Sequence, residues 1–461
     1  MSVPPLQPEY GADEIGAIVL DPGYSVTRAG FAGEDVPKSV IPSYYGHLSD
    51  EKPFLFDDNA INNPLPGLDI RNPMASDSTV EDWDTASKLW EYAITSRLTG
   101  PKQASALRNG LNDPPQNGED VDMDDVENNE APLSEKPLLM TEPGWNSAKN
   151  REKSIELAME SWGAPAFYLA RSPVMNSFAS GRPTALVVDI GASTTSVSCV
   201  HDGLLLKKCT QKSSLAGNWV SDQLRLIFNA AQPPVPLTPH YLVAAKQQVD
   251  AGESAKATLR SFAAPPLASF RRLQEERVLT EFKETCVQVW NPARTPNNAS
   301  LANSADYLKT NDVGKPFEFP DGYNNVFAAD RYRAVEGLFD PAASADPAAA
   351  PVQKSDTLPA LLAAALAAAD VDLRPLLLAN VVVAGGSSLI YGLTDRVSYE
   401  LAAMYPSSRV RIVAPGMTVE RKYAAWIGGS ILASLGSFHQ MWISKKEYEE
   451  NGAALVEKRC K

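Results

Sequence analysis

Two segments of the chain each place an aspartate and a glycine at the end of an apolar strand. Residues 18–25 read IVLDPGYS and residues 186–193 read LVVDIGAS, so the pattern Asp-x-Gly occurs twice. Glycine lets a ligand approach the main chain, and successive turn N–H groups form a concavity that binds anions. The carboxylates of Asp21 and Asp189 can hold a hydrated Mg²⁺ that offsets phosphate charge. The repeat therefore predicts a duplicated turn that binds phosphate groups.

A third glycine turn follows another apolar strand, where residues 381–392 read VVVAGGSSLIYG. The adjacent Gly385 and Gly386 allow a flat nucleoside to lie against the main chain. Taken alone, such a turn is more often a packing feature than a nucleotide contact. The turn supports nucleotide binding because it follows the two Asp-x-Gly turns in the chain.

Short apolar strands and amphipathic helices alternate around these turns, which indicates α/β lobes. A Leu- and Ala-rich helix is expected over residues 361–369, with Asp356 or Thr357 as its N-cap and Pro359 in its first turn. Because 461 residues exceed one ordinary core, we expect two lobes or more. The predicted strands are residues 17–20, 26–33, 185–188, 194–201 and 380–383, and the predicted helices are residues 84–97, 150–162, 217–228 and 421–435.

The composition, 44% hydrophobic and 21% charged, is typical of a soluble globular protein. The N-terminus has no signal-peptide character, and the apolar run over residues 358–369 is too short to span a bilayer. Four cysteines without CxxC spacing predict reduced thiols. The four histidines form no ligand-spaced cluster with them, so we do not expect a zinc site.

More than half of the net charge of −14 lies in one segment, since residues 112–135 contain nine Asp and Glu residues and no Lys or Arg. We expect a disordered surface loop there. Either it is a solvated insertion, which we favour, or it docks a basic partner such as a histone. Residues 291–312 and 341–356 also have the composition of loops. The rest of the chain is only mildly acidic and predicts no DNA binding by this chain alone.

The order of the three turns resembles the actin, Hsp70 and sugar-kinase ATPase superfamily, and the surrounding sequence resembles actin. Within the actin family, VHDGLLLKK (200–208), SLAGNW (214–219) and FKETC (282–286) are similar to the nuclear actin-related protein 4 class. The segments that resemble actin are RAGFAGEDVPKSVIPS (28–43), EPGWNSAKNREK (142–153), FASGRPTALVVDIG (178–191), PFEFPDG (316–322), RYRAVEGLFDP (331–341), DVDLRPLLLANVVVAGG (370–386) and ERKYAAWIGGSILASLGSFHQMWISKKEYEENG (420–452).

The resemblance implies an α/β actin-type fold, with two lobes of two subdomains each around a nucleotide cleft. Residues 1–179 and 424–461 are the expected first lobe, with subdomain 2 at about residues 43–75 and a disordered acidic insertion at about residues 110–135. Residues 180–423 are the expected second lobe, with subdomain 4 at about residues 216–353.

The resemblance also implies ATP and Mg²⁺ as cofactors, with Asp21 and Asp189 facing the metal ion through water. Arg28 stands where actin has a phosphate-binding lysine, and Lys422 stands where a residue flanks the purine. The implied nucleotide-contacting residues are Asp21, Gly23, Tyr24, Ser25, Arg28, Asp189, Gly191, Ala192, Ser193, Lys283, Glu284, Gly385, Gly386, Ser387 and Lys422.

Three positions depart from actin where an attacking water would be oriented. Ser172 stands at a glutamine position, Ser196 at a histidine position and Ala192 at an aspartate position. Serine is too short to place a water at the same reach, so we expect nucleotide binding with little or no turnover and no catalytic residue. Tyr24 and Arg28 also change the first turn, which leaves ATP and ADP both open as the ligand.

Residues 42–83 do not match actin's subunit-gripping loop, so we do not expect filaments. The resemblance implies a structural subunit of nuclear chromatin-remodelling and histone-acetyltransferase complexes, with no membrane partner. The implied partners are monomeric nuclear actin, other actin-related proteins, a long helix of a scaffold subunit and, through the assembly, nucleosomal or linker DNA. Two alternatives stay open: an active ATPase such as a true actin or a chaperone, and a cytoskeletal actin-related protein of the dynactin or branching type.

Overall fold

The computed structural model describes residues 16–49, 52–99, 131–344 and 351–461. Most of the acidic segment 112–135 and part of the expected loop 341–356 lie outside these residues. The described strands are β1 (Ile18–Pro22), β2 (Val26–Phe31), β3 (Ser39–Pro42), β4 (Tyr45–His47), β5 (Asp69–Arg71), β6 (Leu138–Glu142), β7 (Ala166–Arg171), β8 (Ala185–Ile190), β9 (Thr195–His201), β10 (Leu204–Leu205), β11 (Gln211–Ser213), β12 (Val243–Gln247), β13 (Lys256–Leu259), β14 (Lys315–Glu318), β15 (Asn324–Phe327), β16 (Val381–Ala384), β17 (Ile412–Val413) and β18 (Ile443–Ser444).

The helices lie mostly between these strands in the chain. Two of them, α2 and α3, continue as π-helical turns over Thr95–Thr99 and Leu157–Ser161. The described α-helices are α1 (Asp58–Ile61), α2 (Trp83–Ile94), α3 (Ala148–Glu156), α4 (Ser172–Ala179), α5 (Gly217–Ala230), α6 (Ala268–Thr285), α7 (Ala305–Asn311), α8 (Asp330–Glu336), α9 (Leu358–Ala368), α10 (Arg374–Leu378), α11 (Leu393–Met404), α12 (Thr418–Lys422), α13 (Ala424–Ser434), α14 (Lys445–Asn451) and α15 (Leu455–Arg459).

The first sheet has the strand order β18–β7–β6–β1–β2–β3. Strands β1, β2 and β3 form an antiparallel meander, and β1 also pairs with β6 in parallel. The register between β1 and β2 places Asp21 opposite Arg28. This pairing brings a carboxylate and a guanidinium group to the same end of the sheet.

The second sheet repeats this plan with the strand order β10–β9–β8–β16–β17, and β11 pairs with β9. Strands β8 and β9 form an antiparallel hairpin, and β8 also pairs with β16 in parallel. The register places Asp189 opposite Ser196. The predicted α/β class is confirmed, and the two Asp-x-Gly segments occupy equivalent places in two sheets.

Helices α4 and α13 pack against each other and connect the two sheets, because α13 contacts β1 and β6 while α4 contacts β8 and β9. Their backbones cross closely at Gly428, where an added Cβ would overlap the carbonyl oxygen of Met175. The indole Nε1 of the buried Trp426 on α13 donates to the carbonyl oxygen of Val19 on β1 at 3.0 Å. The helix pair thus holds the ends of β1 and β8 on a common cleft.

Some predictions for individual helices and loops are confirmed and others are wrong. Helix α9 begins after Thr357, which occupies the predicted N-cap position, and Pro359 lies in its first turn. The single helix predicted over residues 421–435 is wrong, because the chain breaks at Tyr423 between α12 and α13. The loop predicted over residues 291–312 is also wrong in part, since it contains α7.

Among the described residues, no helix combines the length and apolar character needed to cross a membrane. The four cysteines are free and buried. Across the same part of the chain, no three or more His, Cys, Asp or Glu side chains are grouped in a way that could hold a metal ion.

Candidate functional site

A cleft of about 820 Å³ opens between the β1–β2 turn, the β8–β9 turn and the turn that follows β16. Of the residues predicted to contact nucleotide, only Ser193 does not line this cleft. Those that do are Asp21, Gly23, Tyr24, Ser25, Arg28, Asp189, Gly191, Ala192, Lys283, Glu284, Gly385, Gly386, Ser387 and Lys422. Three segments that are far apart in the chain are therefore brought to one concave surface.

The first turn is closed by a hydrogen bond from the backbone N–H of Gly23 to the carbonyl oxygen of Val26 at 3.1 Å. The hydroxyl of Ser43, on the neighbouring segment, donates to the carbonyl oxygen of Gly23 at 2.6 Å. Within the described chain, the backbone N–H groups of Tyr24 and Ser25 donate to no other backbone group. These two groups remain as donors for an anion.

The carboxylate of Asp21 lies directly behind this turn and is 6% exposed. Its Oδ2 accepts a hydrogen bond from Arg28 Nη1 at 2.7 Å, and its Oδ1 accepts one from the hydroxyl of Thr141 on β6 at 2.5 Å. The guanidinium group of Arg28 also lies over the ring of Tyr423, 5.2 Å from the ring centre. Asp21 and Arg28, which the sequence assigned separately to metal and phosphate, are thus paired with each other.

The second turn has the same backbone closure, since the N–H of Gly191 donates to the carbonyl oxygen of Thr194 at 2.9 Å. In the described chain the backbone N–H groups of Ala192 and Ser193 also have no backbone acceptor. The carboxylate of Asp189 accepts a hydrogen bond from Asn176 Nδ2 at 3.0 Å. Burial raises the pKa of Asp189, whereas the Asn176 hydrogen bond and the Arg28 charge lower it and the Asp21 charge raises it.

The third turn packs on the second one. Gly385 has φ 89°, a conformation that favours glycine, and an added Cβ there would overlap Asp189 Oδ1. Ser387 donates from its hydroxyl to the carbonyl oxygen of Gly191 at 2.8 Å. The N-terminus of α5 joins them, because the N–H of Gly217 donates to the same oxygen at 3.1 Å. Glycine is required at Gly385 and Gly217 because the three backbone segments approach each other closely.

The charged residues on the far wall are held by protein partners. Lys283 Nζ donates to Ser221 Oγ at 2.7 Å, to the carbonyl oxygen of Gly217 at 3.1 Å and to Glu276 Oε1 at 3.2 Å. Glu284 instead pairs across the cleft wall with Lys422, at 3.1 Å between Nζ and Oε1. Lys283 and Glu284 therefore belong to two different networks, and both networks hold α6 in place.

The three positions that depart from actin present short side chains. Ser172 donates its hydroxyl to the carbonyl oxygen of Glu142 at 2.9 Å, so this group is already engaged. Ser196 is buried on β9, and Ala192 has no polar side-chain atom. None of the three side chains carries a carboxylate, imidazole or carboxamide group that could orient a water molecule.

The loop between β5 and α2 closes one end of the cleft and connects the two sheets. Ser78 Oγ lies 3.1 Å from Ser193 Oγ, so Ser193 contacts this loop. Lys212 on β11 pairs with Asp77 Oδ2 at 2.9 Å, and Trp145 Nε1 donates to the carbonyl oxygen of Asp77 at 3.0 Å. We call residues 76–79 the bridging loop.

The opposite rim is joined by contacts between α6 and β5. Ser269 Oγ accepts from the backbone N–H of Ile70 at 3.0 Å and donates to Asp69 Oδ1 at 2.6 Å. Arg277 on the same helix pairs with Asp58 Oδ1 at 2.8 Å. The cleft is consequently closed at both ends by direct contacts between segments that are far apart in the chain.

Sequence reasoning missed Thr141, Asn176 and the bridging loop. Asn176 lies four residues after Ser172 on α4, so the helical repeat places both on one face and could have identified it. Thr141 and Ser78 gave no such signal, because they reach the site only through parallel strand pairing and loop packing.

The comparisons with known proteins agree with this architecture. The actin family model matches residues 12–461. A protein called Actin-related protein 4 from Emericella nidulans is 56% identical, with 100% of this chain and 99% of that protein covered. A protein of the same name from Gibberella zeae is 52% identical, with 98% and 97% covered. A Schizosaccharomyces pombe protein called SWI/SNF and RSC complexes subunit arp42 is 35% identical, with 97% and 100% covered.

The chain therefore belongs to the actin family, and its similarity places it in the actin-related protein 4 class of that family. The expected fold class, that of actin, Hsp70 and the sugar kinases, is confirmed.

Proposed function

We propose that this actin-family chain holds ATP as a structural ligand, turns it over slowly or not at all, and serves as a non-filamentous subunit of nuclear chromatin-modifying complexes. The cleft carries this proposal. It keeps two equivalent turns with free backbone donors, while the positions that would orient an attacking water hold Ser172, Ala192 and Ser196.

Phosphate binding is supported by the backbone of both turns. The N–H groups of Tyr24, Ser25, Ala192 and Ser193 are available as donors in the described chain. Consecutive N–H groups of this kind bind anions because their dipoles converge. A ligand held by both turns binds only the folded chain and hence stabilises it by mass action.

Slow turnover is supported by the lack of a group that can orient water. Hydrolysis requires a water in line with the γ-phosphorus and a side chain that fixes it there. Ser172 is short, and its hydroxyl already donates to the carbonyl oxygen of Glu142. ATP would therefore persist once it is bound.

Two measurements on the purified chain test this part of the proposal. Nucleotide released by denaturation and separated by ion-exchange chromatography should be mostly ATP. In a single-turnover assay with γ-labelled ATP, phosphate release by the natural chain should be slow. The triple variant Ser172→Gln, Ala192→Asp, Ser196→His restores the longer polar groups and should release phosphate faster. Rapid release by the natural chain would contradict the structural role.

Membership of chromatin complexes is supported by the relatives, one of which is called a subunit of the SWI/SNF and RSC complexes. By the same similarity we propose monomeric actin, other actin-related proteins and a long scaffold helix as partners in the nucleus. Contact with nucleosomal or linker DNA would be made through the assembly. Affinity purification of the tagged chain, followed by mass spectrometry, should recover actin with remodeller or acetyltransferase subunits. Recovery of dynactin or actin-branching components would favour the cytoskeletal alternative.

The absence of filaments has its own test. Strands β4 and β5 form a short sheet, α1 lies between them in the chain, and β5 contacts α6 directly. This segment is thereby held against α6 of the same chain. High-speed centrifugation under conditions that polymerise actin should leave the chain in the supernatant.

A further inference from the structure

The cleft contains a positively charged side chain, that of Arg28, at the place where a metal ion is expected. Both oxygens of the Asp21 carboxylate are engaged, Oδ2 by Arg28 and Oδ1 by Thr141. The Arg28 guanidinium is the only one of these partners that carries a charge. Asp21 thus has its charge offset within the protein before any ligand arrives.

The position of Arg28 is fixed by the fold. It lies directly opposite Asp21 in the register of β1 and β2, so the ion pair follows from the hairpin itself. The ring of Tyr423, at the break between α12 and α13, covers the guanidinium group. Arg28 Nε is buried and has no hydrogen-bond partner among the described residues. Nη1 pairs with Asp21, and Nη2 makes no hydrogen bond to a described residue, so the Nη2 donors remain for a second anion.

The second carboxylate also has protein neighbours. Asp189 Oδ2 accepts from Asn176, and the backbone of Gly385 lies against Asp189 Oδ1. Protein-bound Mg²⁺ requires near-octahedral oxygen ligands and keeps several of its waters. A hydrated ion between Asp21 and Asp189 would have to displace Arg28 from the Asp21 carboxylate or share that carboxylate with Arg28. The described residues therefore give a poor fit to the water-mediated magnesium site predicted from the sequence, because the charge of Asp21 is already paired.

We propose that Arg28 takes the place of the divalent cation and that the cleft binds its nucleotide without requiring Mg²⁺. This inference rests on the proposed nucleotide binding and goes further, because it identifies Arg28 as the positive charge that offsets the phosphate groups. The guanidinium group is pinned by Asp21 on one side and offers its remaining donors to phosphate oxygens, which arginine pairs with strongly. The free N–H groups of the two turns supply the other contacts.

The first experiment measures nucleotide and magnesium in the same sample. The purified full chain is passed through gel filtration in excess EDTA, and bound nucleotide and Mg²⁺ are quantified per chain. We expect nucleotide to remain with far less than one Mg²⁺ per nucleotide. Loss of nucleotide in EDTA, with retention in Mg²⁺, would overturn the inference and leave nucleotide binding intact. Absence of nucleotide under both conditions, together with no binding of added ATP, would instead contradict the proposed function.

The second experiment uses Arg28→Ser, which installs the residue type found at the equivalent place of the second hairpin. ATP affinity in EDTA should fall by roughly tenfold or more, because a charge-assisted contact is lost. Added Mg²⁺ should restore part of it, since Asp21 is then free to face the ion. A fall that Mg²⁺ does not relieve would contradict the substitution of cation for metal. Arg409→Ala removes an exposed arginine outside the cleft and serves as the matched control.

A third variant keeps the test decisive if Arg28→Ser does not fold. Asp21→Asn keeps the shape of the side chain and leaves Arg28 in place, with its charge released toward the ligand. ATP binding in EDTA should be at least as tight as in the natural chain. A weakening of more than about tenfold would overturn the inference, because it would show that the carboxylate charge itself is needed.

Discussion

The two Asp-x-Gly hairpins share a backbone but differ in how their carboxylates are held. In both, a glycine N–H closes the turn three residues ahead, at 3.1 Å for Gly23 and 2.9 Å for Gly191. In both, the aspartate faces a residue of the next strand, which is Arg28 in one hairpin and Ser196 in the other. Asp21 is consequently ion-paired, whereas Asp189 has a neutral amide partner, Asn176.

The two hairpins therefore share their backbone hydrogen bond and differ in the partners of their carboxylates. The same pair of backbone N–H groups without a backbone acceptor occurs at both turns of the described chain. The first carboxylate serves mainly to fix a cation, and the second faces the cleft with its charge less compensated. The two hairpins thus share their backbone geometry and differ in their side chains.

The largest expected effect comes from Gly385, on the turn after β16, which packs against Asp189 of the second hairpin. Gly385→Ala adds a Cβ that overlaps Asp189 Oδ1 at a φ of 89°, so strain and steric overlap together should cost about 3 kcal/mol or more of unfolding free energy. Nucleotide binding should be lost as well. Urea unfolding of the nucleotide-free variant measures the cost. Gly436→Ala, where an added Cβ meets nothing within 4 Å, is the control.

The next comparison removes one partner from each carboxylate. Arg28→Ser leaves Asp21, whose side chain is 8% exposed, without its counter-charge and should cost about 2–3 kcal/mol. Asn176→Ala removes only a neutral hydrogen bond to Asp189 and should cost about 1–2 kcal/mol. Both are measured by urea unfolding without nucleotide. Equal costs would show that the two carboxylates are compensated to the same degree.

A smaller effect concerns pH and the second carboxylate. Burial raises the pKa of Asp189 in the folded chain above the ordinary value of 3.8, so the native state binds this proton more tightly than the unfolded state. Its stabilising contribution is present in acid and is lost as the pH rises through the folded pKa. Asp189→Asn should therefore gain stability relative to the natural chain at neutral pH. The gain should shrink toward about pH 4 in urea unfolding of nucleotide-free samples. A constant difference at all pH values would contradict it.

The smallest effect is expected at the bridging loop. Lys212 and Asp77 form an ion pair whose side chains are 42% and 40% exposed, so Lys212→Ala should cost less than about 0.5 kcal/mol. A cost as large as that of Asn176→Ala would show that this rim contributes to the second hairpin's stability. High salt should reduce the effect further.

Much of the backbone arrangement could be predicted from the sequence, because it depends on local patterns. The apolar runs before Asp21, Asp189 and Gly385 are strands, and each one ends at the cleft. The start of α9 followed from Thr357 and Pro359. The break at Tyr423 did not, because its flanking residues are good helix formers and the ring is used to cover Arg28.

The partners of the site residues were harder to predict, since they depend on packing between distant segments. The register of β1 and β2 alone would have placed Arg28 beside Asp21. The resemblance to actin assigned Asp21 to a metal ion and Arg28 to phosphate, because it carries over the roles of residues and not their contacts. Thr141 reaches Asp21 across a parallel strand pair, which no local pattern reveals.

The packing of α4 against α13 ties the melting of the two sheets together. Helix α13 lies on β1 and β6, α4 lies on β8 and β9, and the two helix backbones meet at Gly428. Unfolding the elements around one sheet would therefore remove buried apolar partners from the other. Heating should accordingly give one cooperative heat-absorption peak, instead of two separate transitions.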